Sequence, residues 1–195
     1  MKLLAAIAAL LIAVPAFAQE LGPEELVRKV TTDVLDAVRS DKDLQAGDRR
    51  KALALAEQKI LPHVDFREAA TLAMGKSWRT ATPAQQEQVV NEFRSMLVRI
   101  YSNAIEVYRG QTLKVLPVRL PAGATEVTVR NQYQRSGQPP VPVEYSMRKT
   151  PEGWKIYDIA IEGVSLVLTY RAEFESITRV SGIDGLLKRL AEKNA

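Results

Sequence analysis

The sequence predicts an α+β fold in which helices cover one face of an antiparallel sheet of about four strands. Three observations predict it. Apolar residues recur at helical spacing from about residue 23 to 109, the period changes to two after Gly110, and the turns between the alternating stretches are short.

The first helix opens at Gly22-Pro23-Glu24-Glu25, with proline at the first helical position and carboxylates in the first turn. Leu26, Val27, Val30, Val34, Leu35 and Val38 then follow on one face. A second helix starts near Asp48 and is stopped by Pro62, which cannot continue the hydrogen-bond ladder. Asp65 and Glu68 have capping-box spacing for a short third helix ending near Gly75. Thr82-Pro83-Ala84-Gln85 repeats the pattern and opens the longest helix, to about Arg109, with Val89, Phe93, Met96, Leu97, Ile100, Tyr101, Ala104, Ile105 and Tyr108 as its apolar stripe. At 1.5 Å per residue it would be roughly 40 Å long, enough to back a whole sheet.

Thr112 to Leu120 and Trp154 to Ile161 are predicted strands. Between them, Val127, Val129 and Tyr133 alternate with polar residues, and so do Val141, Val143, Tyr145 and Met147. "PAGA", "SGQPP" and "TPEG" are the turns, which suits a meander with one apolar and one polar face. A helix over Val164 to Arg179 and another from Ile183 to Lys193 close the chain.

Residues 1–18 stand apart. Lys2 precedes a 12-residue apolar run, Leu3 to Val14, and Ala16-Phe17-Ala18 fits the small-x-small rule of a cleaved secretory signal peptide. The run is too short to span about 30 Å of hydrocarbon, and no lipobox cysteine follows it. The expected mature chain, residues 19–195, has a length suited to one domain. It contains no cysteine, so its core must hold without disulfides, which favours the bacterial periplasm. Removing Lys2 from the 27 basic residues leaves 26 against 23 acidic ones, a net charge of +3. The charges are interspersed with no long basic run, which argues against nucleic-acid binding.

A catalytic census comes out empty. His63 is the only histidine; it follows a helix-stopping proline, and no G-x-S-x-G elbow supplies a serine. One histidine and no cysteine leave no zinc site, and no acidic loop has calcium-binding spacing. Asp158 and Glu162, at i and i+4 of a strand, would lie about 13 Å apart, too far for a glycosidase pair. The reading is therefore not an enzyme. What remains is apolar surface, which periodicity alone cannot divide into filled core and hollow site. At this level the chain is an exported binding or scaffold domain with a lean toward an apolar ligand.

"MGKSWRTATPAQQEQVVNEF" (74–93), "LVRIYSNAIEVYRG" (97–110), "GWKIYDIAIEGVSLVLTYRAEF" (153–174) and "GIDGLLKRLAEKN" (182–194), in this order behind a signal peptide, carry a specific resemblance. The chain resembles the MlaC family, periplasmic phospholipid-shuttling components of the Mla (maintenance of lipid asymmetry) system, also called toluene-tolerance or ABC-transporter auxiliary proteins. The resemblance implies a twisted antiparallel sheet backed by helices, with acyl tails in an apolar slot between them and the head group outside. It implies transfer between an outer-membrane lipoprotein complex and the lipid-binding subunit of an inner-membrane ABC transporter. The cargo would be phospholipid, with no cofactor and a monomer in transit. The alternative is a ligand-free envelope scaffold of similar fold.

On this resemblance the slot is expected to involve Trp78, Phe93, Leu97 and Tyr101 from the helical half, and Val143, Tyr145, Met147 and Ile161 from the sheet. Gly163 permits a sharp turn, and Val164, Val167, Leu168, Tyr170 and Phe174 form a lip. Tyr170, an apolar body with a polar tip, suits a wet entrance. Arg171 meets a lipid phosphate or pairs with Asp158 or Glu162, and pairing is the stronger expectation.

Overall fold

The structure, a computed structural model, describes residues 21–101, 112–134 and 137–195. The expected signal peptide, the predicted continuation of the longest helix to Arg109 and the start of the "SGQPP" turn lie outside them.

Helix α1 (Pro23–Ser40) buries Leu26, Val27, Val34, Leu35 and Val38 along the expected stripe. Asp41 ends it and caps α2 (Lys42–Ala46), accepting the backbone N–H groups of Asp43 and Leu44. Asp48 caps α3 (Arg49–Lys59), and a 3-10 turn over Leu61–His63 follows at Pro62. Asp65 accepts the N–H of Glu68 at 2.9 Å to start α4 (Phe66–Met74). The box at the next helix is reciprocal, as its spacing demands. Thr82 Oγ1 accepts the Gln85 N–H, Gln85 Oε1 accepts the Thr82 N–H at 3.0 Å, and α5 (Pro83–Tyr101) begins.

Strands β1 (Thr112–Val115), β2 (Glu126–Gln134), β3 (Val141–Thr150) and β4 (Gly153–Ile161) form the predicted antiparallel meander. Strand β1 is shorter than expected because Pro117 has no N–H to offer the ladder. A fifth strand, β5 (Val164–Ser165), joins the far edge where a helix was predicted. The cause is the turn: Glu162 and Gly163 both have positive φ, 51° and 82°, and Ile161 pairs with Val164. A two-residue loop of that hand returns the chain as a hairpin. After a 3-10 turn over Leu168–Tyr170, α6 runs Arg171–Asn194 with a break at Gly182, close to the predicted junction between two helices.

The packed side chains fall into separate clusters. In a helical core, Ala69, Ala73 and Met74 of α4, Phe93 and Met96 of α5, and Phe174, Leu186 and Leu190 of α6 bury one another. In a sheet core, Leu26 and Val27 of α1 lie against Val129, Tyr133, Met147, Trp154 and Ile156. Helix α4 is tied to the sheet between the two. Val64 bridges Ile156, the Asp65 N–H donates to the Ile156 carbonyl at 2.8 Å, and Glu68 pairs with Arg148.

Candidate functional site, a cavity between sheet and helices

Where the helical core and the sheet core meet they do not close on each other. A cavity of about 350 Å³ separates them. Ile60, Leu61 and Val64 form one side, Phe66 and Ala69 of α4 a second, and Leu97, Val98 and Tyr101 of α5 a third. The sheet contributes Tyr133, Val141, Val143, Tyr145 and the end of β4, and Leu166 and Val167 fold over from the segment after β5.

Four consecutive residues of β4, Ile156 to Ile159, border the cavity, which a regular strand does not allow. The ladder explains it. Met147 faces Ile156 but Ser146 faces Asp158, so Tyr157 is an extra residue, a β-bulge. Residues paired across a ladder share a face. The bulge therefore puts Ile156 on the inner side with Met147, and Ile159 and Ile161 on the same side with Tyr145 and Val143.

Asp158 is the one charged residue in the described lining, and its carboxylate is already committed. Oδ1 accepts the N–H of Ile159 at 2.8 Å and that of Val167 at 3.2 Å. This fastens the lip segment to β4 and ties one carboxylate oxygen to backbone N–H groups. On the sheet wall the Tyr133 and Tyr145 hydroxyls hydrogen-bond each other at 2.8 Å, so the rings face the cavity with their polar tips joined. Among the described residues no group of three metal-ligating side chains occurs.

The structure divides the residues singled out in the sequence. Leu97, Tyr101, Val143, Tyr145, Ile161 and Val167 line the cavity. Phe93 and Phe174 do not; they are buried in the helical core with ring centroids 5.3 Å apart, and the Tyr170 ring meets Phe93 edge-on at 5.4 Å. Tyr170 is thus packed rather than set at a wet entrance. Burial and a hydrogen bond with Tyr101 push its phenol above the ordinary tyrosine range. Trp78 packs on the outside of the same core beneath Arg67. Met147 is fully buried in the sheet core. Val164 and Leu168 are exposed, because the hairpin turns them away from the cavity while Leu166 and Val167 turn in. Arg171 pairs with neither Asp158 nor Glu162. It reaches Glu175, one helical turn ahead, at 3.4 Å, and its guanidinium covers Gly75, where an added Cβ would sit 2.7 Å from Nη2.

The residues that sequence reasoning missed have a readable signal. "ILPHVDF" (60–66) places four large apolar residues around a proline, more than an exposed connection needs, and all four line the cavity. The isoleucines at 156, 159 and 161 step by three and then two, which a bulged strand satisfies and a regular strand does not.

Comparison with known proteins bears on this architecture. The profile of the MlaC protein family matches residues 28–192. The chain belongs to the MlaC family. It is 21% identical to the intermembrane phospholipid transport system binding protein MlaC of Haemophilus influenzae over 89% of this chain and 82% of that one. It is 26% identical to the toluene tolerance protein ttg2D of Pseudomonas putida over 83% of this chain and 75% of that one. Among solved structures, the phospholipid-binding protein of Ralstonia solanacearum in complex with a phospholipid superimposes with a TM-score of 0.80 at 38% identity, over 89% of this chain and 97% of that one.

Proposed function

We propose that this chain is a phospholipid carrier of the bacterial periplasm that holds acyl chain in the cavity between sheet and helices. The cavity carries the reading. It is apolar, and at about 350 Å³ it is within the range of small-molecule sites. Asp158, the one charged residue of its described lining, is already hydrogen-bonded to backbone. The phospholipid transport named for the H. influenzae relative and the phospholipid held by the R. solanacearum neighbour support the same reading.

In this reading Leu97, Tyr101, Val143, Tyr145, Ile161 and Val167 touch the tail, while Phe93, Phe174 and Met147 stiffen the walls behind them. Residues 1–18 direct export, and among the described residues no helix is long and apolar enough to cross a membrane. The lipid is cargo, and the chain needs neither a catalytic group nor a cofactor.

Hiding a 16-carbon chain from water is worth roughly 13 kcal/mol at about 0.8 kcal/mol per methylene. A bilayer offers the tail nearly the same gain, so transfer between membrane and carrier is close to neutral. Direction then comes from the partners, an outer-membrane lipoprotein complex at one end and the lipid-binding subunit of an inner-membrane ABC transporter at the other. The carrier, a monomer in transit, removes the aqueous barrier between them.

Native mass spectrometry of the mature protein, purified from periplasm without detergent and then extracted with solvent, tests this. The expected result is an adduct of phospholipid mass recovered as intact diacyl lipid. A protein that is empty both as isolated and after incubation with liposomes would overturn the carrier and leave a ligand-free envelope scaffold.

A further inference from the structure

We infer that Arg94 is the phosphodiester-binding residue of the cavity, a role that rests on the carrier reading above. Arg94 stands on α5 three, four and seven residues before Leu97, Val98 and Tyr101, all of which line the cavity. At 3.6 residues per turn these four positions form one stripe. The hydrocarbon wall of α5 therefore ends one turn below Leu97 in a guanidinium.

A second contact fixes where that guanidinium sits. Its Cζ lies 5.6 Å from the centroid of Phe66, whose ring is part of the cavity lining. This cation–π contact with a lining ring holds the exposed guanidinium beside the apolar space.

The charge pairing around Arg94 is the third observation. Arg67 next to Phe66 pairs with Glu87, Arg148 with Glu68, and Arg171 with Glu175. Among the described residues Arg94 makes no ion pair, and no carboxylate lies three or four residues away on its own helix, where Val90, Asn91, Leu97 and Val98 stand. The side chain is exposed, so the cation costs nothing in burial and remains available to an anion.

A tail in the cavity leaves its head group at the rim, and the anionic group nearest the tails in any phospholipid is the phosphodiester. A guanidinium offers two parallel N–H donors to two phosphate oxygens, a geometry lysine cannot copy. The alcohol part of the head group, cationic in choline and ethanolamine and neutral in glycerol, finds no partner in a guanidinium. Arg94 thus selects for the phosphate and not for choline, ethanolamine or glycerol.

The test compares wild type, Arg94→Gln and Arg94→Lys for binding of phosphatidylglycerol and of diacylglycerol with the same tails, presented in vesicles and read by native mass spectrometry. The expected result is that Arg94→Gln weakens phosphatidylglycerol binding about tenfold, leaves diacylglycerol binding unchanged and melts within a few degrees of wild type. Arg94→Lys should recover part of the loss. An equal loss for both lipids would mean that Arg94 only braces Phe66, and no loss for either would remove it from the site. Each result overturns the assignment. Wild type that binds neither lipid would instead strike down the carrier reading itself. Millimolar inorganic phosphate should not displace the lipid; displacement would reassign the site to free phosphate.

Discussion

The helical core and the sheet–helix cavity are built from the same residue types and differ in whether the space between them is filled. Around Phe93 the rings of Tyr170 and Phe174 stand at 5.4 and 5.3 Å, and Phe93 and Phe174 are sealed from solvent. Across the cavity, Leu97 and Val98 on the next turn of the same helix face Val143 and Tyr145 with about 350 Å³ between them. The two environments are one helical turn apart on α5. In the first, dispersion contacts are saturated and any truncation leaves a void. In the second, apolar surface is held ready for another molecule.

The sharpest way to break the comparison is to place charge in the hollow. Leu97→Asp or Val167→Glu is expected to abolish lipid retention in detergent-free purification, because a carboxylate is not tolerated against an acyl tail and the described lining holds no basic side chain. A folded variant that still copurified with full lipid would contradict the assignment of the slot.

Truncation comes next and should separate the regions by magnitude. Phe93→Ala or Phe174→Ala is expected to cost about 3–5 kcal/mol in urea unfolding, the range for emptying a filled site. Val143→Ala enlarges a hollow that already exists and should cost only about 1–2 kcal/mol, mostly the lost methyl burial. Equal costs would mean that the cavity wall is packed as tightly as the core.

The hairpin that carries the lip provides a smaller test. Glu162 adopts a left-handed backbone conformation at φ 51°, which costs a non-glycine residue about 1–2 kcal/mol. Glu162→Asn, which tolerates that conformation, is expected to raise stability by about 0.5–1 kcal/mol while keeping lipid in place.

The smallest effect should be a pH dependence at His63. Burial, with Lys155 and Lys29 nearby, holds its imidazole below the ordinary histidine range. The unfolded chain then binds the proton more readily than the folded one. The stability tied to neutral His63 is present above about pH 6.5, the unfolded value, and is lost as pH falls through the lower folded value. His63→Gln should flatten that part of the profile in urea titrations at several pH values.

Much of the fold was legible because local chemistry and tertiary structure agree. The Asp65 cap and the Thr82–Gln85 box, the stop at Pro62 and the alternation in β2 and β3 each state their element outright. The predicted helix at Val164 fails because an apolar run reads equally as helix or strand. What decides is the Glu162-Gly163 turn, whose signal rests on an unusual positive φ at glutamate.

The site was half legible. Helical periodicity marks Phe93 and Leu97 equally as inward, and only the packing of α6 decides that one is sealed and the other faces a void. The contribution of Ile156 and Ile159 depends on the bulge at Tyr157, which shifts strand parity in a way no two-residue period reveals. Phe66 and Val64 follow a proline in a connection that reads as surface, yet the bridge from Val64 to Ile156 draws them inward.

The central claim is that the tail occupies the space beside Leu97 and Val143 and not the cluster around Phe93. Photolysis of the protein loaded with a phospholipid bearing a diazirine at mid-chain, followed by peptide mapping, tests it most directly. The account predicts adducts on Leu97, Val98, Val143, Tyr145 or Ile159, with none on Phe93, Phe174 or Trp78. Labelling concentrated on the helical core, or confined to the exposed Val164 and Leu168, would contradict it.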